Sequence, residues 1–212
     1  KMTPIMITGD SLQTALAVAV DVGIARDASQ GIEGKKIDGL TDDQLVSFVK
    51  KYTVFARVTP EHKVRIVRAF QAAGKVVAMT GDGVNDAPAL KLAHVGIGMG
   101  RAGTDVTKNV ADIILMDDSF ATIVTAVEEG RRIYSNIKKT VSFLFSANLA
   151  EILSLLLATI FFPKLTFLVP VQILFVNLIT DSLPAVALGL EPAEKNIMEK
   201  APRKSNKTIF SD

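Results

Sequence analysis

The sequence predicts an α/β domain built on a parallel sheet, followed by a transmembrane helical hairpin. Three observations predict it. From residue 1 to about Asp118, short apolar runs alternate with amphipathic stretches, the pattern of strand–helix repeats. From Phe120 onward the alternation stops, and two nearly continuous apolar runs follow at 141–162 and 165–190. Between the two patterns, a Gly-rich turn, Gly81-Asp82-Gly83-Val84-Asn85-Asp86, sits behind the apolar run Val76-Val77-Ala78. That is the place where open α/β sheets bind ligands.

Taken in chain order, the apolar runs predict strands over 5–8, 53–58, 76–79, 95–99 and 113–116. The amphipathic stretches predict helices over 11–22, 41–50, 61–73, 86–93 and 104–110. Ser11 stands where an N-cap is wanted, and Gly23 and Gly74 stand where helices stop. Strands separated by helices read as a parallel sheet. The next stretch, 120–139, is charged and helical, with Ile123, Val124, Val127, Ile133 and Ile137 on its apolar side, and no breaker separates it from the first long apolar run.

Composition narrows the chemistry. Of 212 residues, 49% are hydrophobic and none is cysteine, so thiolate metal sites and disulfides are excluded. The only histidines are His62 and His94, too few for a histidine zinc centre. The net charge of +2 comes without the Lys/Arg blocks that track nucleic acid, and no nucleic-acid partner is expected.

The turn at 81–86 offers two carboxylates and an amide at a strand's C-terminal end. Glycines let a backbone approach phosphate closely, and carboxylates are the hard oxygen ligands Mg²⁺ prefers. A single Asp-Gly is most often an ordinary turn; GDGxND between a strand and a helix is a more specific signal.

Each long apolar run exceeds the roughly 20 residues a helix needs to cross a bilayer. Arg131, Arg132, Lys138 and Lys139 precede the first run, and Lys195, Lys200, Arg203 and Lys204 follow the second; only Lys164 lies between. The positive-inside bias then places both outer ends, and the α/β domain, in the cytoplasm. Inside the runs stand polar groups that lipid excludes. Asn148 and Glu151 are spaced i and i+3; Asn177, Thr180 and Asp181 are spaced i, i+3 and i+4. Asparagines alone can serve as interhelical packing contacts. Two carboxylates at that depth need a cation or a proton and mark an ion pathway. Pro184 offers no N–H to the carbonyl of Thr180, as in broken membrane helices that bind ions.

With these residues in view, the chain resembles the P-type cation-transporting ATPases. The resemblance is carried by Met6-Ile7-Thr8-Gly9-Asp10, by the run from Phe55 to Lys63, by Met79-Thr80-Gly81-Asp82-Gly83-Val84-Asn85-Asp86-Ala87-Pro88-Ala89-Leu90, and by Val176 to Pro184. The last is similar to the calcium-pump subgroup. The resemblance implies a haloacid-dehalogenase-like sheet, use of ATP and Mg²⁺, and transport of Ca²⁺. By motif, Thr8 and Gly9 would hold phosphoryl oxygens, Lys63 would neutralise phosphate charge, and Asp82 would bind Mg²⁺. Asn85 would contact phosphate and Asp86 would support the loop, while Asp10 and Arg57 would contact nucleotide or position loops. Asn148, Glu151, Asn177, Thr180 and Asp181 would ligate the transported cation.

The family's nucleophile is an aspartate in Asp-Lys-Thr-Gly-Thr on the central strand, and no such string occurs in this sequence. The resemblance therefore implies a sheet lacking its central nucleophile strand, in a fragment whose partners are the lipid bilayer and the remainder of the pump. The nucleotide-binding and actuator domains and the other membrane helices would belong to that remainder. The expected divisions are a partial phosphorylation domain over 1–118, a stalk helix over 119–140, and a transmembrane helix over 141–162. An outer turn with a second transmembrane helix over 163–190 and a cytoplasmic loop over 191–212 complete them. The alternatives are a truncated non-catalytic product that binds Mg²⁺ or phosphate or associates with a full-length pump, a sodium/potassium-type or other cation pump, and a soluble phosphatase.

Overall fold

The computed structural model describes residues 2–164, 166 and 168–203. Lys204, part of the second apolar run (Leu165 and Phe167) and the end of the expected cytoplasmic loop lie outside the described residues. The chain forms two compact units, Lys1–Thr122 and Ile123–Asp212.

The first unit runs β1 (Met6–Ile7), α1 (Leu12–Asp21), β2 (Gly31–Glu33), α2 (Lys35–Asp38), α3 (Asp42–Phe48) and β3 (Val54–Ala56). It continues through α4 (Pro60–Ala72), β4 (Ala78–Gly81), α5 (Ala87–Leu92), β5 (Val95–Met99), α6 (Asp105–Val110) and β6 (Ile113–Leu115). All strand pairs are parallel, but they form two three-stranded sheets, β1-β3-β2 and β4-β5-β6. Among the described residues β1 pairs only with β3 and β4 only with β5, so each keeps one unpaired edge.

The caps explain where the helices start. Ser11 accepts from the Thr14 amide, Thr41 and Gln44 form a reciprocal capping box, and Thr104 accepts from the Thr107 amide. The central strand β3 is wholly buried at Val54, Phe55 and Ala56, as a parallel strand covered on both faces should be. Helix α4 serves both sheets. Its Ile66 and Ala69 join the core around Ile32 and Phe55, while Val67 joins the core around Met79 and Leu90.

Two strand expectations change. β2 has no counterpart in the sequence-based reading, because three residues with one buried apolar side chain, Ile32, show no periodicity. The strand expected over 76–79 starts at Ala78. Val76 is exposed, and the Val77 carbonyl instead accepts from the amides of His94 and Val95.

The second unit is dominated by α7, Phe120–Phe161, whose first residues belong to the first unit. At about 1.5 Å per residue its 42 residues extend about 63 Å, roughly twice a hydrocarbon core of about 30 Å. Half of the helix must therefore lie outside a bilayer that it crosses. The second apolar run is not one α-helix. It divides into α8 (Pro170–Phe175), a π-helical segment over Val176–Asp181, and α9 (Ser182–Gly189). Pro184 falls just past the π-helical segment, inside the continuous helical stretch Pro170–Gly189, where it has no N–H to donate. Both helical stretches are long and apolar enough to cross a membrane, and they present Phe145, Ile152, Leu156, Leu174, Leu178 and Val186 outward. Asn136, almost fully buried, donates to the carbonyls of Gly189 and Glu191 at 3.1 and 2.8 Å, and Thr140 donates to the Ala185 carbonyl at 3.3 Å.

Candidate functional site

The first group of predicted site residues gathers at the C-terminal ends of β1 and β3. The Thr8 amide donates to the Phe55 carbonyl at 2.9 Å, continuing the β1–β3 pairing by one residue. Its hydroxyl donates to Asp10 Oδ2 at 3.0 Å and accepts from the Asp10 amide at 3.1 Å, which folds the Thr8-Gly9-Asp10 turn on itself. The Arg57 amide donates to the Asp10 carbonyl at 2.9 Å. Arg57 has φ +49°, a left-handed conformation that turns the chain sharply out of β3. Its guanidinium stands 3.8 Å from Glu33, with both side chains largely exposed, so this pair contributes little to stability.

The second group lies where α4 meets the 81–86 turn. Lys63 Nζ donates to Asp86 Oδ1 at 2.5 Å, with the side chains only 15% and 10% exposed. Asp86 Oδ2 also accepts a long bond from the Gly83 amide, 3.4 Å. A glycine is required at position 81, since a Cβ there would come within 2.5 Å of Asp86 Cβ. The two acids of the turn are thus not an equivalent metal-binding pair. Asp86 is occupied with Lys63, whereas Asp82 is exposed and its carboxylate makes no hydrogen bond among the described residues. Asn85 is likewise exposed, without a side-chain partner among them.

The two groups are joined through the start of α4: the Val58 amide donates to the Thr8 carbonyl at 3.2 Å, and Lys63 follows in the first turn. The turn itself is fastened from α6. Thr107 is fully buried, and its hydroxyl lies 3.3 and 3.1 Å from the carbonyls of Asp82 and Gly83. The Thr104 amide donates to the same Asp82 carbonyl at 2.9 Å. Sequence reasoning missed Thr107, since a threonine three residues past an N-cap threonine carries no motif. His94, assigned no role, accepts from the Val77 amide at Nδ1.

In the second unit, Asn177 Nδ2 reaches Glu151 Oε2 at 3.5 Å, bringing the two helical stretches' polar clusters together at one point. Glu151 Oε1 is buried with no hydrogen-bond partner among the described residues. Asp181 is 8% exposed, while Asn148 and Thr180 are exposed and make no side-chain hydrogen bond among the described residues. The expectation that Asn177, Thr180 and Asp181 share one face assumes α-helical spacing. The segment is π-helical, closing i→i+5 turns, and this rotates Thr180 away from Asn177; Thr180 is exposed and Asp181 buried. The Ser182 hydroxyl donates back to the Asn177 carbonyl at 3.1 Å.

Comparison with known proteins resolves the family. Residues 1–94 match the haloacid dehalogenase-like hydrolase family, and residues 165–212 match the C-terminus of cation-transporting ATPases. Over 207 residues the chain is 52% identical to calcium-transporting ATPase 1 of Bacillus cereus, a match covering 98% of this chain and 23% of that protein. Over nearly its whole length the chain is homologous to calcium-transporting ATPases. It is also 47% identical over 207 residues to the human calcium-transporting ATPase type 2C member 1, covering 97% of this chain and 22% of that protein. A crystal structure of a zinc-transporting PIB-type ATPase in its E2·Pi state shares the fold, with a TM-score of 0.64 and 24% identity over 87% of this chain and 24% of that one. The chain thus spans about a quarter of the length of the relatives it matches. Its first unit carries the haloacid dehalogenase-like hydrolase match on two parallel sheets, and its second carries two candidate membrane-spanning helices.

Proposed function

We propose that this chain is the part of an ATP-driven pump that links an aspartyl-phosphate site to a calcium site in the membrane, exporting calcium from the cytosol. The observation that carries the reading is Glu151. A buried carboxylate oxygen without a partner, with Asn177 3.5 Å from its other oxygen, is what a hard-cation site needs. A π-helical segment holding Asn177, Thr180 and Asp181 supports it, since such segments cluster at functional sites. The identity with calcium-transporting ATPases on 98% of the chain favours calcium over other cations.

At the phosphate site, catalysis consists of positioning and charge neutralisation. Thr8 and Gly9 hold phosphoryl oxygens, Asn85 adds a hydrogen bond, and Asp10 and Arg57 fix the Thr8 turn. Lys63 brings the positive charge, and Asp86 holds that ammonium in place until phosphate competes for it. Asp82, exposed at the end of β4, is the carboxylate suited to Mg²⁺, which would neutralise phosphate charge when bound. The nucleophilic carboxylate attacks the γ-phosphoryl group, ADP leaves, and water later cleaves the acyl phosphate. That carboxylate belongs to a strand outside this sequence, and the unpaired edges of β1 and β4 are suited to receive it between them. Both ends of the hairpin and the α/β unit lie on the cytoplasmic side in this reading.

The test is ATP-dependent uptake of radioactive calcium into sealed vesicles carrying the complete pump. Calcium-dependent phosphorylation and uptake, both lost in Asp82→Asn, are expected. Uptake of another cation without calcium would overturn the ion assignment, and ³²P transferred from ATP to this chain by itself would overturn the placement of the nucleophile elsewhere.

A further inference from the structure

Helix α4 begins with an unusual cap. Thr59 Oγ1 accepts from the His62 amide at 3.3 Å, and His62 Nδ1 accepts from the Thr59 amide at 3.1 Å. This is a reciprocal capping box with histidine in the place usually held by Glu or Gln. Because Nδ1 accepts, the ring proton is on Nε2, which donates to Asp38 Oδ1 at 2.5 Å. The His62 side chain is 9% exposed. Its third side is closed by Gly34: a Cβ there would stand 2.6 Å from Nδ1 and 2.7 Å from the Arg57 carbonyl.

We propose that His62 is the positioning residue for Lys63, and that it can act only as the neutral imidazole. The Lys63 amide donates to the Thr59 carbonyl at 3.1 Å, in the same turn that the Thr59–His62 box closes. From that turn Lys63 reaches Asp86, and the preceding residues, Arg57 and Val58, bond Asp10 and Thr8. One cap therefore sets the geometry of both halves of the phosphate site.

Protonation dismantles it. A second proton must go to Nδ1, which then presents N–H to the Thr59 N–H and loses its bond. The new charge also sits at a helix N-terminus, where the macrodipole disfavours it. Several charged groups surround the ring. Asp38, the last residue of α2, meets Nε2 and its side chain is 61% exposed. The guanidinium of Arg57 is paired with Glu33 of β2. On α4 itself, Glu61 and Lys63 flank the ring in sequence, and Arg65 is held by Asp42 and the carbonyls of Ile37 and Leu40. Helix α2 adds Lys35 and Lys36.

The inference rests on the phosphate-site reading above, and the experiment separates the two. In the complete pump, phosphorylation from ATP is measured across a pH series from neutral to mildly acidic. His62→Ala is expected to lower phosphorylation at neutral pH about fivefold, the size of a lost N-cap. His62→Gln supplies a capping acceptor that does not titrate, so it is expected to match the wild type at neutral pH and to hold its activity where the wild type declines. An acid limb in His62→Gln identical to the wild type's would overturn the proposal, as would full phosphorylation in His62→Ala. Should His62→Ala fail to fold, the Gln comparison decides alone. Lys63→Ala is the control: if it keeps full phosphorylation, the phosphate-site reading fails; if it loses phosphorylation while both His62 variants behave as wild type, only the role of His62 fails.

Discussion

Asp86 and Glu151 are both acids withdrawn from water, one in the turn that follows a parallel strand and the other in the last third of a 42-residue helix. The chain answers them differently. Asp86 meets an ammonium at 2.5 Å, an amide of its own turn, and a glycine that makes room for it. Among the described residues, Glu151 meets one amide group at 3.5 Å on one oxygen and no hydrogen-bond partner on the other. Burying a carboxylate without pairing is expensive, so the second arrangement stores a demand for positive charge that the first has already met. The difference separates a group that organises a site from one that waits for a ligand.

The largest expected effect breaks the first member of the comparison. Asp86→Ala leaves Lys63 largely buried and unpaired, and breaking such a pair costs about 3–5 kcal/mol. Chemical denaturation of the complete protein, followed by a probe in the α/β unit, should show a loss of that size. Adding Lys63→Met to Asp86→Ala should recover most of the loss, because an apolar replacement of both partners removes the stranded charge; a double variant no more stable than Asp86→Ala alone would mean that the pair is not what holds the 81–86 turn against α4.

The second prediction tests the other member and has the opposite sign for stability. Glu151→Gln removes the unmet charge while keeping a hydrogen-bonding partner for Asn177, so thermal unfolding in detergent should occur at the same temperature as wild type or higher. Calcium-activated phosphorylation should nonetheless need at least about tenfold more calcium, equivalent to about 1.4 kcal/mol. A variant that lost stability and kept its calcium response would make Glu151 a packing residue.

The comparison also explains how much of the molecule was legible in the sequence. The strand–helix alternation placed β1, β3, β5 and β6 within a residue or two, because short runs rich in Val, Ile, Met and Phe mark strands whether buried, as β3 is, or partly exposed, as β6 is. It could not place β2, where only Ile32 carries the signal. The Lys63, Asp82 and Asp86 positions stood out by motif, and the resemblance gave the two acids different roles, but nothing in the local spacing distinguishes Asp86, which pairs with Lys63, from the exposed Asp82. That distinction comes from α4 crossing between two sheets, a tertiary fact with no local trace. Thr107 and His62 escaped for the same reason: each acts on a backbone group near the site, and a hydroxyl or imidazole that serves a carbonyl or amide looks ordinary in a sequence. The π-helical segment was hidden too, since spacing arguments assume 3.6 residues per turn.

The smallest effect concerns a third way of answering an acid, with backbone alone. Asp118, at φ +55°, accepts from the amides of Gly100, Arg101 and Ala102 at 2.7, 3.0 and 2.7 Å. Those amides, Arg101 and Ala102 foremost, hold its carboxyl below the usual carboxylate range. A group whose folded pKa is depressed contributes stability that is present above its unfolded value, near 3.9, and is lost as pH falls through the folded value. The 100–102 loop should therefore keep its amide protection, corrected for intrinsic exchange, from neutral pH down to about pH 4 and lose it progressively below that. Asp118→Asn, which tolerates the left-handed conformation but keeps a single neutral acceptor oxygen, should show weaker protection at neutral pH and little further change on acidification. Equal protection in the two proteins at every pH would mean that the loop is held by its packing on β6, and that only Asp86 and Glu151 differ in how their charge is met.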